Sequence, residues 1–503
     1  MSAAGKAVPA DSADSAVPAD PGGRTVPDSP ASRAVPGPHT AALDAARPDA
    51  GRRTTQIFFA STLYGVATVA AALDADRFGP ADRRVLLIAN NAATPETTPS
   101  VDTMPGFERL RGRFDDVLSW NEAISPFHPG GWSPRGDDLP LWQRYLRLAW
   151  GLGDDRVELA VESIQVNPAL ALARIFTGAP VDVYADGLMS YGPTRNKIDP
   201  LVGTRVRRLL HLDLVPGLKP LLLTEFDVEP ELVPTEVFLK VLAELADDQE
   251  ESAPADALPR IEEPALLLGQ YLSALNILTA EEEEELHARM LRGAAALGHT
   301  RVVFKPHPTA PARWSRELEK EAERIGVELT VLDTPVLAEV LYQRMRPALV
   351  VGCFSTALLT ASVFYDLPVA RIGTETLLER LKPYENSNRI PVTLADALLP
   401  DLSDRAAVTG SGRSEPDLPA LTALVRAVGF AMQPKIYPNL RPATERYLAT
   451  HLNDTTWRYF KRRRLTALAL PGGIPVQLAF IPRNAAVRKV ARRARSIKRA
   501  ALG

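Results

Sequence analysis

A single cysteine, Cys353, occurs in 503 residues. A lone thiol excludes an intramolecular disulfide framework and any cysteine-cluster zinc site, and it fits a reducing compartment. No run of 18 or more apolar residues occurs, so no membrane-spanning helix is expected. The first residues lack the apolar stretch of a secretory signal. These absences point to a cytoplasmic protein. Aromatic residues are missing altogether from positions 1–50, where Ala, Pro, Asp and Gly dominate and Ala-Val-Pro-Ala-Asp occurs at both 7–11 and 16–20. Such a segment cannot bury enough surface to offset its ordering entropy, and disorder is expected over 1–52.

The remainder can build large cores. Apolar residues make up 46% of the chain, and its length suits two to four domains. Charge is unevenly placed. Residues 458–503 hold 13 Lys/Arg and no Asp/Glu, which leaves 45 basic and 61 acidic residues elsewhere, a net −16. An acidic body with a basic tail argues against nucleic acid as a partner, because the body would repel it.

From residue 54, short apolar runs alternate with helix-like stretches. Strands are expected at 56–60, 84–89, 116–120, 157–161 and 181–184, with a helix over 168–176. A second series begins at 265, with strands at 265–268, 301–305, 328–332, 348–353 and 368–372. Alternation of this kind implies parallel sheets covered on both faces. The fold class is α/β with two Rossmann-like domains facing a cleft. The expected boundaries are 53–235 for the first domain, 236–263 for a linker and 264–400 for the second. An insert and closing helices follow over 401–456, and a basic tail over 457–503. The five glutamates at 281–285 suit the positive end of a helix dipole.

Three short motifs fall where strands end, which is where doubly wound sheets hold ligands. Tyr184-Ala185-Asp186-Gly187 puts a carboxylate at a strand end, able to take a proton from a hydroxyl. Asp-Gly is also an ordinary turn. Lys305-Pro306-His307-Pro308 brackets an imidazole with two prolines, a stiff mount for a group that donates to a phosphate. Gly352-Cys353-Phe354-Ser355-Thr356 leads from a strand into a helix, where hydroxyls and the first N–H groups make an anion site or simply an N-cap. Glu339, early in the helix after Pro335, could meet ribose hydroxyls or complement the helix dipole. Gln270, ending the first strand of the second half, is placed for donor or base. Ser61, Thr62 and Tyr64, after the first strand, and Asn90 and Asn91, after the second, are candidate contacts for an acceptor, or turn and cap residues.

In this order the motifs resemble those of the bacterial polysialyltransferase-like family, the α-2,8-polysialyltransferases, and of the GT-B sialyltransferases. That group is marked by a D/E-D/E-G motif, an HP motif and a Ser/Thr motif. Residues 54–400 carry the resemblance. It implies an inverting, metal-independent glycosyltransferase that needs no cofactor and moves sialic acid from a CMP-activated donor to a glycan or glycolipid. Asp186 would be the general base, His307 would protonate the departing CMP phosphate, and Ser355 and Thr356 would hold it, with Lys305 and Pro308 alongside. The first acidic position of the family motif is Ala185 in this chain. If that acid were needed, Asp182 or Glu162 would have to replace it. HP and Ser/Thr elements also occur in polyol-phosphate polymerases, so a CDP-polyol-phosphate donor is the nearest alternative. A glycan-binding relative without activity is another.

The tail joins Trp457, Tyr459 and Phe460 to Lys461-Arg462-Arg463-Arg464, and Arg488, Arg492, Arg495 and Arg499 recur at helical spacing. Aromatic and basic residues together suit an anionic membrane surface, which makes the inner face of the cell membrane the expected location. A solvated tail is the plainer alternative.

Overall fold

The computed structural model describes residues 51–185, 187–251, 261–307, 312–332, 334–410 and 416–474. Residues 1–50 of the expected disordered segment, the second basic cluster of the tail, Asp186 and Pro308 lie outside them.

The first sheet comprises β1 (Thr54–Ala60), β2 (Arg83–Ile88), β3 (Asp116–Ser119), β4 (Arg156–Glu162), β5 (Val181–Ala185), β6 (Val206–His211) and β7 (Pro230–Leu232). The second comprises β8 (Ala265–Leu268), β9 (Arg301–Lys305), β10 (Glu328–Val331), β11 (Leu349–Gly352) and β12 (Val369–Arg371). All neighbours pair in parallel, in the orders β3-β2-β1-β4-β5-β6-β7 and β10-β9-β8-β11-β12. Each sheet therefore reverses direction of winding once, between β1 and β4 and between β8 and β11. The loops after those strands open the crevice where such sheets bind ligands.

Period-two alternation explains how the first sheet is covered. Ile57, Phe59, Val85, Leu87, Leu159, Val161 and Val183 face one core, closed by Trp120, Leu146, Trp150 and Leu172. Phe58, Ala60, Leu86 and Ile88 face the other, which runs on without a break into Leu266, Val303 and Val350 of the second half. β6 and β7 were not expected from the sequence. Val206-Arg207-Arg208-Leu209 hides a strand because its arginines belong to ion pairs, with Arg207 and Arg208 reaching Asp182 at 2.7 and 3.1 Å.

Helix α1 (Leu63–Asp74) is capped by Thr62, whose hydroxyl accepts from the Gly65 N–H at 2.9 Å, and residues Val66 to Leu73 are buried. Helix α2 (Leu139–Ala149) covers the outer core with Leu146. Helix α3 (Thr235–Glu251) occupies much of the interval expected to be a linker. Its Phe238, Val241, Leu242 and Leu245 fall at helical spacing and are all buried. The Phe238 ring meets Tyr64 at 5.3 Å on one side and Phe364 at 6.1 Å on the other, so the helix wedges the two halves together.

The second half adds α4 (Ala280–Ala296), α5 (Ala338–Met345), α6 (Thr356–Phe364) and α7 (Arg389–Leu398). A helix was expected directly after Pro335, but α5 begins at Ala338, which still leaves Glu339 in its first turn. Within the expected flexible insert, Arg405–Thr409 forms one helical turn capped by Asp404.

Beyond it, α8 (Leu418–Met432) returns the chain to the first half. Tyr437 secures the return. Its hydroxyl accepts from Thr194 N–H at 3.0 Å and lies 2.7 Å from the Glu225 carboxylate. Gln433 donates to Arg195 O. The aromatic start of the tail is also folded in: Tyr459 and Phe460 are buried, and Arg462 covers the Trp457 ring at 5.1 Å.

Two stability outcomes follow. Tyr437→Phe leaves a buried N–H and a carboxylate without this partner and should cost about 1–3 kcal/mol, read as a lowered unfolding temperature. His287 is almost wholly buried, and that burial brings its pKa down to about 4. The unfolded chain takes up the same proton near pH 6.5, so between those values unfolding binds protons and stability falls as pH falls. The full effect is about 3 kcal/mol. Thermal unfolding at pH 7 and pH 4.5 should show a smaller acid loss in His287→Leu than in the parent chain.

Candidate functional site

The C-terminal edges of the two sheets meet. In the first half, the β1/β4 reversal presents Ser61 and Glu162. The Ser61 N–H and hydroxyl both donate to Glu162, at 2.9 and 2.8 Å. Beside them, the Tyr184 hydroxyl donates to Phe59 O at 2.8 Å. β5 then ends at Ala185, ahead of Asp186 and Gly187. Ala185 is 5% exposed and packs into the outer core, so the departure from the family motif is a core residue here. Asp182 points to the opposite end of β5 and is spent on two arginines. Of the two substitute acids, only Glu162 stands on the cleft edge.

Thr62 and Asn90 have defined local duties. Thr62 caps α1. The Asn90 amide donates to Pro95 O and Thr98 O at 3.2 and 2.9 Å, and Asn90 exchanges further hydrogen bonds with Asn121. It staples its own loop. Tyr64 packs on α3, while Asn91 is exposed.

In the second half, β9, β8 and β11 are neighbours, so the loops that follow them stand side by side. After β8, Gly269 has no room for a side chain, since a Cβ would lie 2.9 Å from the Phe304 ring and 3.1 Å from the Pro306 backbone. Gln270 follows, and its buried carbonyl oxygen lacks a hydrogen-bond partner among the described residues. Tyr271 lies 6.1 Å from the His307 ring, tilted by 31°. The loop is held from below by Glu283, which is fully buried and accepts from Leu272 N–H at 2.6 Å and Ser273 N–H at 2.8 Å. The five-glutamate run thus has divided duties. Glu282 closes a capping box with Thr279, and Glu283 carries the loop. The glutamate run reads in sequence as a set of dipole complements, and nothing in it points to Tyr271. The apolar pattern around Glu283, with Leu286, His287 and Met290 buried at helical spacing, is the signal that it faces inward.

After β9 come Lys305, Pro306 and His307. Desolvation, then the Lys305 charge, hold the His307 pKa below its ordinary value. Lys305 is lowered too, by desolvation, with Glu339 opposing. Glu339 is 3% exposed, and desolvation raises its pKa. Its carboxyl accepts from the Thr360 hydroxyl at 2.7 Å, which ties α5 to α6. After β11, Ser355 caps α6 by accepting from Ala357 N–H at 3.2 Å.

Thr356 joins the two edges. Its hydroxyl accepts from Leu188 N–H at 3.4 Å, and a Cβ on Gly187 would come within 3.1 Å of the same oxygen. The glycine of the first motif is therefore needed for close approach to the third. Gly187 and Leu188 thus meet the Ser/Thr helix start, and the HP loop follows β9, separated from β11 only by β8. A half-buried ammonium, an imidazole and a helix N-terminus on one wall suit an anion. Among the described residues, no group of three or more His, Cys, Asp or Glu side chains is placed to hold a metal ion.

No curated protein matches the chain in sequence. Solved structures with a similar course include MurG of Acinetobacter baumannii, with 10% identity over 78% of this chain and 95% of that one and a TM-score of 0.37. The UDP-GlcNAc 2-epimerase of Methanocaldococcus jannaschii has 11% identity over 75% and 99%, with a TM-score of 0.42. A Photobacterium damselae sialyltransferase, resolved as its GT-B domain, has 11% identity over 67% and 95%, with a TM-score of 0.34. These likenesses are faint, and the assignment rests on a family model. The alpha-2,8-polysialyltransferase model matches residues 56–374, which span both sheets and all three motifs. The chain belongs to the alpha-2,8-polysialyltransferase family, and it is a glycosyltransferase with the GT-B arrangement of two Rossmann-like halves.

Proposed function

We propose that the chain transfers sialic acid from a CMP-activated donor to a glycan or glycolipid hydroxyl in one inverting displacement. The contact of Gly187 and Leu188 with Thr356 carries this reading, because it joins the neighbours of Asp186 to the helix start that suits a phosphate. The first half takes the acceptor and the second the donor.

Asp186 removes the acceptor proton as the acceptor oxygen bonds to the anomeric carbon. The bond from that carbon to the phosphate oxygen breaks, and its electron pair leaves with CMP. Desolvation, then the Lys305 charge, favour the neutral form of His307. A phosphate beside it raises its affinity for a proton, which it then gives to the leaving group. Lys305, Ser355, Thr356 and the first N–H groups of α6 spread the phosphate charge, so no metal or other cofactor is required. Gln270 takes the nucleoside, with Pro308 shaping the loop, while Glu339, buried and tied to Thr360, supports that wall from behind. Ser61 orients Glu162 toward the acceptor side, where Tyr64 and Asn91 complete the wall, while Thr62 and Asn90 hold that wall in shape. Work at the cytoplasmic face of the membrane fits a chain whose described helices include none long and apolar enough to cross one.

Calorimetric titration with CMP, CDP, UDP and GDP should show a preference for CMP, weakened about tenfold or more in His307→Ala. Preference for CDP, UDP or GDP, or no nucleotide binding at all, overturns the donor assignment. The ratio of parent to His307→Ala affinity should grow as pH falls from 8 toward 5.5, because only the parent gains a cation. Asp186→Asn should keep CMP affinity and lose about 10²–10⁴ in kcat. Full activity in that variant would move the base to Glu162, whose Gln variant then becomes the inactive one.

A further inference from the structure

Outside the cleft, one surface of the first half is unusually apolar. On α2, Leu141, Tyr145 and Leu148 recur at intervals of four and three residues, and they are 68%, 45% and 73% exposed. The opposite side of the helix buries Leu146 against the outer core. Phe127, on the preceding loop, is 51% exposed and stacks on Trp132 at 6.1 Å. Trp132 meets Trp142 at 4.7 Å, and Trp142 meets Tyr145 at 5.6 Å. This aromatic row ties the outer residues to the fully buried Trp120, so the patch is rigid.

Charge selects what covers it. Helix α2 contains no carboxylate, although the chain as a whole is net negative; its Arg144 is exposed beside Tyr145, while Arg147 donates to Gly153 O and Asp155 O at 3.0 Å. Asp138, at its start, is engaged by Arg135 at 2.7 Å. Arg174, beside the loop, donates to the Ser133 hydroxyl at 2.9 Å. A second copy docked helix to helix would bring Arg144 toward its own counterpart. The basic tail would meet the same repulsion. An anionic lipid surface would not. Leucines can enter the acyl boundary, Tyr145 can lie at headgroup level, and the exposed Arg144 can extend to phosphates.

We propose that α2 and the Phe127 loop form a docking surface for anionic membrane lipid, distinct from the substrate cleft and from the basic tail. The full-length protein is tested by co-sedimentation with phosphatidylcholine vesicles, with and without phosphatidylglycerol. Binding is expected only when the anionic lipid is present. Leu148→Glu should weaken it about tenfold or more, and Arg144→Glu should weaken it as well. Leu201→Glu, at a leucine 78% exposed elsewhere on the surface, serves as the control and should leave binding unchanged. Circular dichroism and unfolding temperature should stay constant across the three, as expected for exposed positions. Absence of vesicle binding in the parent chain overturns the proposal, as does equal binding by Leu148→Glu and Leu201→Glu. A dimer seen by light scattering and dissolved by Leu148→Glu would assign the surface to a second copy instead.

Discussion

The cleft depends on two sheet edges approaching closely enough to share one hydrogen bond, from Leu188 N–H to the Thr356 hydroxyl. A parallel sheet gathers its loops along one edge, and a single edge provides only one wall. Chemistry between two substrates needs a facing wall. Gly187 permits the approach, since a side chain there would press on Thr356. Much else in the fold maintains this geometry. Helix α3 fills the space behind it, and the continuous inner core leaves little slack between the halves.

The donor wall is prepared electrostatically. Lys305 and His307 are adjacent cations or potential cations, partly desolvated, and their pKa values are lowered as a result. Such a site is unfavourable when empty and favourable when an anion arrives, so binding energy and protonation become linked. Glu339 offers the opposing charge from deeper in the fold, held by Thr360. The buried carboxylates thus have structural duties. Glu283 holds a loop, Asp182 binds β5 to β6, and Glu339 links two helices.

Much of this was legible in the sequence. Most of the strands could be placed, and the three motifs fell at strand ends, because buried parallel strands are short apolar runs with turns after them. β6 was hidden because Arg207 and Arg208 interrupt its apolar pattern, and only the pairing with Asp182 makes those charges tolerable inside a sheet. The α3 interval reads as a linker because its acidic end dominates the composition, while its apolar stripe is only four residues. The apolar spacing around Glu283 marks it as inward-facing, but the loop it carries and the place of Tyr271 beside His307 depend on contacts that spacing along one helix does not reveal. The Ala185 departure looked like a lost catalytic group, and it reads differently once the residue is seen to face the core.

The return of the chain through α8 and Tyr437 has a mechanical consequence. Two lobes joined by one hinge can swing apart freely, whereas two lobes joined at a wedge and again at a distant latch resist rotation. Opening this cleft by rigid-body motion would have to break the Tyr437 hydroxyl's bonds to Thr194 and its contact with Glu225, or bend α8. Rotating the lobes as rigid bodies therefore carries a cost that displacing the rim loops alone does not.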